Sequence, residues 1–238
     1  MELVRWQYSG AEHKVVKGIG VVNALWQSSK DEYTPIEYRV WNPPEDGKTK
    51  NNHFRDMLSS AKSRGLSPEM VVADSWYSSL DNLKSIRSHG WDWVMGLKGN
   101  RTVNKPLVQI GKLDIPDEGL KVRLKGGYGW VKIFRFTGKN GRTDYIGTSR
   151  LGLAMEQVKS YFERRWSIEV MQKEFKQTCG FSRCQSRAGR AGRNHIGLSF
   201  IALVQKHLRR RRDLSTPYQQ DWLVIKPAIQ LALADALR

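Results

Sequence analysis

Residues 70–73, Met-Val-Val-Ala, make a short unbroken apolar run that stops on Asp74. A run without polar alternation is the pattern of a central strand buried on both faces of a sheet. The next segments narrow the options. Ser79–Ser88 has helical spacing and is stopped by Gly90, and Trp91–Leu97 is a second apolar strand running into Lys98-Gly99-Asn100-Arg101. Strands and helices in such close alternation place the chain in the α/β class.

The flanking segments extend the pattern. Val15–Trp26 reads as a mostly buried, Gly-punctuated strand, and Thr34–Trp41 as a second one with Ile36, Tyr38 and Val40 on one face. Asn-Pro-Pro-Glu-Asp-Gly then breaks the chain, and Asn52–Arg64 is helical through Phe54, Leu58 and Ala61, closed by Gly65. Residues 102–150 change texture to Gly-rich alternating runs, which predict a small antiparallel sheet. A long helix is expected over Gly152–Thr178, another over Arg193–Arg212, and a last one over Pro227–Leu237. The expected organisation is a core begun by residues 1–101, a β-rich insertion at 102–150, completion of the core by 151–212, and a helical tail at 213–238.

Charge narrows the function. The 238 residues hold 40 Lys and Arg against 23 Asp and Glu, a net of +17. From Arg150 to Arg212 there are 15 basic residues and four acids. Such a surface attracts polyanions, and with DNA or RNA it gains from counterion release. Cys179 and Cys184, with only His195 near them in sequence, fall short of a zinc ligand set and read as reduced thiols. No leader-like apolar run opens the chain and no stretch approaches a membrane span, so a cytoplasmic, nucleoid-associated location is expected.

Two positions invite chemistry. Asp74, ending an apolar strand, is either a turn-capping residue or a carboxylate held at the ligand-binding edge of a sheet. On the long helix, Tyr161, Ile168, Met171 and Phe175 form one apolar stripe. Glu169 borders it, with Arg165 four residues before and Lys176 seven after, on nearly one line of the helix surface. That arrangement is either an ordinary ion pair with a solvated lysine, or a metal-binding acid flanked by two phosphate-gripping cations. The spacing leaves both open.

The runs VVADSWYSSLDNLK (71–84), DWVMGLKGNRTV (92–103) and YFERRWSIEVMQKEFKQTCGF (161–181) resemble the DDE transposases of bacterial insertion sequences. The similarity is to the branch marked by a Tyr-Arg-Glu-Lys signature on its last catalytic helix. HKVVKGIGVVNALW (13–26) and NHIGLSFIALV (194–204) fit as well, so the resemblance spans about residues 2–205. It implies a ribonuclease-H-like core, a mixed sheet with helices, interrupted by a β-rich insertion before the last catalytic helix. It further implies metal-dependent strand cleavage and transfer on double-stranded DNA, transposon ends and target, by a homodimer in a synaptic complex.

By that resemblance Asp74 is the second carboxylate and Glu169 the third, holding two Mg²⁺ or Mn²⁺ ions that take hard oxygen ligands. Arg165 and Lys176 match the signature's phosphate-binding cations, and Lys98 and Arg101 are further candidates for DNA contact. Two departures stand out. Phe162 occupies the signature's tyrosine place, with Tyr161 displaced by one. The family's first Asp lies upstream of the segment resembling Glu2–Trp6, and Asp31, the earliest aspartate here, falls in an expected turn. The sequence therefore reads as an N-terminally truncated transposase with an incomplete two-metal site. The rival expectation is a non-catalytic DNA-binding fragment that inhibits a full-length enzyme or is a degenerate remnant.

Overall fold

The computed structural model describes residues 1–213 except 10–11, 30–31, 105–106 and 139–140, and beyond them only residues 218–219, 226–227 and 229–230. Along the chain come β1 (Arg5–Ser9), β2 (Lys14–Gly18), β3 (Gly20–Gln27), β4 (Tyr33–Trp41), α1 (Pro43–Asp46), α2 (Lys50–Ser63) and β5 (Met70–Ala73). Next are α3 (Leu80–Ser88), β6 (Asp92–Leu97), β7 (Val103–Asn104), β8 (Leu120–Leu124), β9 (Gly129–Thr137) and β10 (Thr143–Thr148). Helices α4 (Met155–Glu163), α5 (Ser167–Thr178) and α6 (Gly189–Asp213) end the described order. The helix expected over 227–237 and Asp31 lie mostly or wholly outside the described residues.

The chain divides into two compact units: residues 48–166, and residues 1–47 with the chain from Ser167 onward. The first holds a six-stranded sheet in the order β5-β6-β10-β9-β8-β7. Its β5–β6 pair is parallel and the other pairs are antiparallel. Side-chain alternation explains why β6 sits inside. Trp93, Met95 and Leu97 point into a core with Leu58, Leu83, Ile86, Val122 and Val131, while Val94 faces a second cluster of Phe134, Ile146 and Val158. Burial on both faces, expected for β5, belongs to β6. Among the described strands β5 pairs on one side only, and three of its four residues are half-buried.

Local signals close the helices of this unit. Thr49 and Asn52 form a capping box on α2, and Gly65 takes the left-handed conformation after it (φ 79°). Ser79 caps α3, and Gly90 comes after it with φ 79°.

In the other unit, β1 pairs with β2 and β3 with β4 as separate antiparallel hairpins. The single strand expected over Val15–Trp26 is thus two, divided at Ile19. A bulge shifts the β3–β4 register at Ile36, since Ala24 faces Glu37 and Leu25 faces Pro35. That extra residue shifts the alternation, so Tyr33 and Val40 reach the same core despite their odd spacing. The core is completed by Met171 and Phe175 of α5 and Ile196, Phe200 and Leu203 of α6. Glu2 reaches the start of α6, accepting a hydrogen bond from the Gly189 amide at 2.6 Å, where a carboxylate suits the helix dipole.

The long helix expected over 152–178 is broken. A 3₁₀ turn at Arg164–Trp166 separates α4 from α5. Tyr161 packs with the cluster of Phe134 and Val158, whereas Ile168, Met171 and Phe175 pack in the hairpin unit, so the single stripe read from the sequence is two.

Candidate functional site

Asp74 lies just past the last residue of β5 in extended backbone and is exposed. Its Oδ1 accepts the Trp76 amide at 2.8 Å, capping a 3₁₀ turn over Ser75–Tyr77. The capping role and the strand-end position are therefore the same fact. The turn crosses β6 at Gly96, where a Cβ would meet the Ser75 amide at 3.0 Å. A side chain there would press on the backbone of the turn and force it to shift.

Buried polar contacts hold the turn from behind. Asn82 is fully buried; its Nδ2 donates to the Tyr77 carbonyl (2.9 Å) and to Asn51 Oδ1 (2.7 Å), and its Oδ1 accepts from Arg55 (2.8 Å). Tyr77 stacks on Phe54, and burial, reinforced by the Asp74 charge, pushes its hydroxyl pKa up to about 12. Arg101 donates to the Ser78 carbonyl, and burial lowers its pKa. Lys98 is exposed, its ammonium 5.7 Å from the ring of the exposed Trp76. Of the residues expected on this side, Asp74 and Lys98 are thus at the surface and Arg101 backs the turn.

In the other unit, α5 carries Glu169 in its first turn and Lys176 in its last, both exposed. Each lies at the helix end whose partial charge favours it. Seven residues apart, they fall about 20° from one line. The opposite face holds Met171 and Phe175 and, between them, Glu174. Glu174 is buried, and its Oε2 accepts from Tyr33 Oη (2.8 Å) and lies 2.9 Å from His207 Nε2. Tyr33 and His207 are buried too, and burial, then the Glu174 charge, drives the Tyr33 hydroxyl far above the ordinary tyrosine range. Gln27 reaches Ser167 Oγ at 3.2 Å at the start of α5.

Arg165 stands on the 3₁₀ turn, its guanidinium 5.4 Å from the Phe162 ring, so a shared line with Glu169 on one continuous helix does not apply. Tyr161 donates to Glu69 Oε1 at 2.9 Å. Arg150 donates to the same oxygen at 2.8 Å and to Asp92 Oδ2 at 3.0 Å. The Arg150 hydrogen bond, then that from Tyr161, holds the Glu69 carboxyl below the usual range. Asp74, Arg165, Tyr161, Lys98 and Arg101 belong to the sheet unit; Glu169 and Lys176 belong to the hairpin unit. The Glu174–Tyr33–His207 cluster and Asn82 do not stand out in the sequence. An acid between Met171 and Phe175, inside an apolar arc, is the one signal that points to the first.

For a divalent cation the donor chemistry is suitable, since Asp74 and Glu169 are carboxylates on exposed surface. Among the described residues, no three His, Cys, Asp or Glu side chains gather into a group that could hold a metal ion. Among those same residues, no helix is long and apolar enough to cross a membrane.

The profile of the transposase DDE domain matches residues 6–205. The cryo-EM structure of a piggyBac transposase synaptic complex with hairpin DNA is similar in fold, with a TM-score of 0.57 and 9% sequence identity. The match covers 87% of this chain and 43% of that one, so the chain spans less than half the length of its structural neighbour. At that identity the likeness shows the fold alone, a mixed α/β sheet with helices that fits a ribonuclease-H-like core, and strands β7–β10 of the expected insertion continue the sheet of β5 and β6. No curated protein sequence matches.

Proposed function

The chain belongs to the transposase DDE-domain family, and from that premise we propose that it works in the metal-dependent cleavage and transfer of DNA strands during transposition of an insertion sequence. The observation that supports this most is the setting of the two family carboxylates. Asp74 and Glu169 are exposed, yet each is backed by buried polar side chains that fix the backbone presenting it. Side chains kept solely for packing need no such backing.

In this reading Asp74 and Glu169 hold Mg²⁺ or Mn²⁺. When bound, the cations supply Lewis-acid stabilisation of the oxygens that attack and leave the phosphorus. Lys176 and Arg165 grip phosphates, Lys98 adds a contact beside the Asp74 turn, Tyr161 is a further contact, and Arg101 acts from behind by holding the Ser78 carbonyl of that turn. No side chain forms a covalent bond to DNA. The partners are duplex transposon ends and target DNA, brought together by two copies of the protein, and the working place is the nucleoid.

The test is cleavage of end-containing DNA with Mg²⁺ or Mn²⁺, beside a binding titration at several salt concentrations. Asp74→Asn and Glu169→Gln should abolish cleavage and leave binding in place. Lys176→Ala and Arg165→Ala should weaken binding and lower the salt slope, each by about 0.9 for a lost phosphate contact. Steep salt-dependent binding without cleavage in either metal would favour the second reading, a DNA-binding protein that does not cut. A slope near zero would remove both.

A further inference from the structure

Strands β1 and β2 pair with each other and with no other described strand, so their hairpin has an inner and an outer face. The inner face is half-buried. Gln7 lies so close to Gly20 that a Cβ there would come within 2.9 Å of its Oε1. The outer face is built from two cross-strand pairs, Trp6 opposite Lys17 and Tyr8 opposite Val15. Trp6 is 63% exposed, Tyr8 54% and Val15 58%, and the Lys17 ammonium sits 4.9 Å from the Trp6 ring.

Three large apolar side chains adjoining on one open face mark a surface that binds something. Charge selects the partner's class. Arg5, Lys14 and Lys17 belong to this hairpin, and Glu12 pairs with Lys14 at 2.9 Å. The chain as a whole carries a net charge of +17, so a polyanion is attracted to this face. The ring spacing selects further. Trp6 and Tyr8 are two residues apart on one strand, about 7 Å along it. That leaves each ring free to take a separate base, as the aromatics of sheet-based single-strand readers do.

We propose that the outer face of the β1–β2 hairpin is a stacking platform for unpaired nucleotides, with bases on Trp6 and Tyr8 and a phosphate at Lys17. The inference rests on the proposed DNA function and gives it a second contact, one specific for single-stranded segments.

The experiment measures affinity of the whole protein for a short oligothymidine and for a duplex of equal length at fixed salt. Trp6→Ala and Tyr8→Ala should each weaken oligothymidine binding by roughly 5- to 150-fold while duplex affinity holds within about two-fold. Trp6→Phe, which keeps a ring, should recover most of the loss. Trp130→Ala, at a tryptophan of similar exposure (57%), should change neither affinity. Because the substituted side chains are exposed, melting curves should match the parent. Unchanged oligothymidine affinity in both alanine variants, with salt-dependent duplex binding intact, overturns the platform and leaves the DNA reading standing. A parent protein that binds neither nucleic acid removes both. A DNA-free dimer that dissociates on Trp6→Ala would overturn the platform and assign the face to self-association.

Discussion

Each unit carries one of the two carboxylates proposed to hold the metal, and each is set in place by different physics. In the sheet unit Asp74 ends a four-residue strand, and its turn is fixed by Asn82, a neutral side chain whose two donors and one acceptor are all used. In the hairpin unit Glu169 rides a twelve-residue helix, and the rotation of that helix is set from its buried side by Glu174 with Tyr33 and His207. Apolar packing alone places a helix or a strand but tolerates small rotations and slips; a satisfied buried polar group has one geometry. Behind each of these two carboxylates lies a satisfied buried polar contact, and those contacts are where each unit breaks.

The largest effect tests whether the units are independent. Trp93 is fully buried and its indole donates to Tyr128 Oη at 2.7 Å. Trp93→Ala should cost the sheet unit about 3–5 kcal/mol. Amide exchange should show the loss in β6 and β10, with α5 and α6 protected as before. Equal loss in all four elements would mean one cooperative unit and would undo the comparison.

Next comes the buried cluster of the hairpin unit. Glu174→Ala leaves the Tyr33 hydroxyl and the His207 ring without their acceptor, at about 1–3 kcal/mol for each orphaned group. Glu174→Gln keeps an acceptor in place and should cost less. The cluster also has a pH signature. Tyr33 has a folded pKa raised above its unfolded value, by burial first and by Glu174 second. Its contribution is therefore fully present below pH 10 and is lost as the pH rises above that. Melting points of the parent should fall at alkaline pH, and Tyr33→Phe should flatten the fall. A parent curve that is flat there would show that Tyr33 ionises as freely folded as unfolded.

How much of this the sequence disclosed depends on the range of the forces involved. Helix boundaries at Gly65 and Gly90 were legible because a cap is a local event. The α/β class, the strands around Asp74 and the β-rich stretch were legible from periodicity. The break at Arg164–Trp166 was not, since arginines and tryptophan suit a helix well enough and only packing of the two flanking segments in separate cores interrupts it. Nor was the placement of β5 at the border of the described sheet, because an apolar run says that a strand is covered, not which neighbour covers it. The bulge at Ile36 likewise depends on pairing with β3. Asp74 and Glu169 stood out through family resemblance. The residues behind them did not, because their partners are remote: Glu174 meets Tyr33 across 141 positions.

A smaller effect sharpens the sheet side of the comparison. Asn82→Ala strands Arg55 and the Tyr77 carbonyl, and about 1–3 kcal/mol should be lost. The more telling measurement is cleavage by Asn82→Asp, which retains an acceptor for Arg55 but cannot donate to Tyr77. Reduced cleavage with unchanged DNA affinity is the expected result. Loss of both in parallel would mean that Asn82 serves the fold and not the aim of Asp74.

The smallest effect lies on the surface, where the same logic of shared acceptors operates in water. Glu69 Oε1 takes hydrogen bonds from Arg150 and Tyr161, and its folded pKa is held below the ordinary 4.5, by Arg150 first and Tyr161 second. The sign is the reverse of Tyr33. A depressed carboxyl contributes stability above its unfolded pKa, and the contribution is lost as the pH falls through the lower folded value. Because Glu69 is fully solvated, the melting point should scarcely respond. The site-resolved titration of the Glu69 side chain should respond clearly. Arg150→Ala should return its midpoint toward the ordinary glutamate range, and Tyr161→Phe should move it the same way by less. If Tyr161→Phe proved the stronger, Tyr161 and not Arg150 would be the principal partner of Glu69. Added salt should move the parent midpoint up as well, because an exposed pair is screened where the buried Glu174 cluster is not.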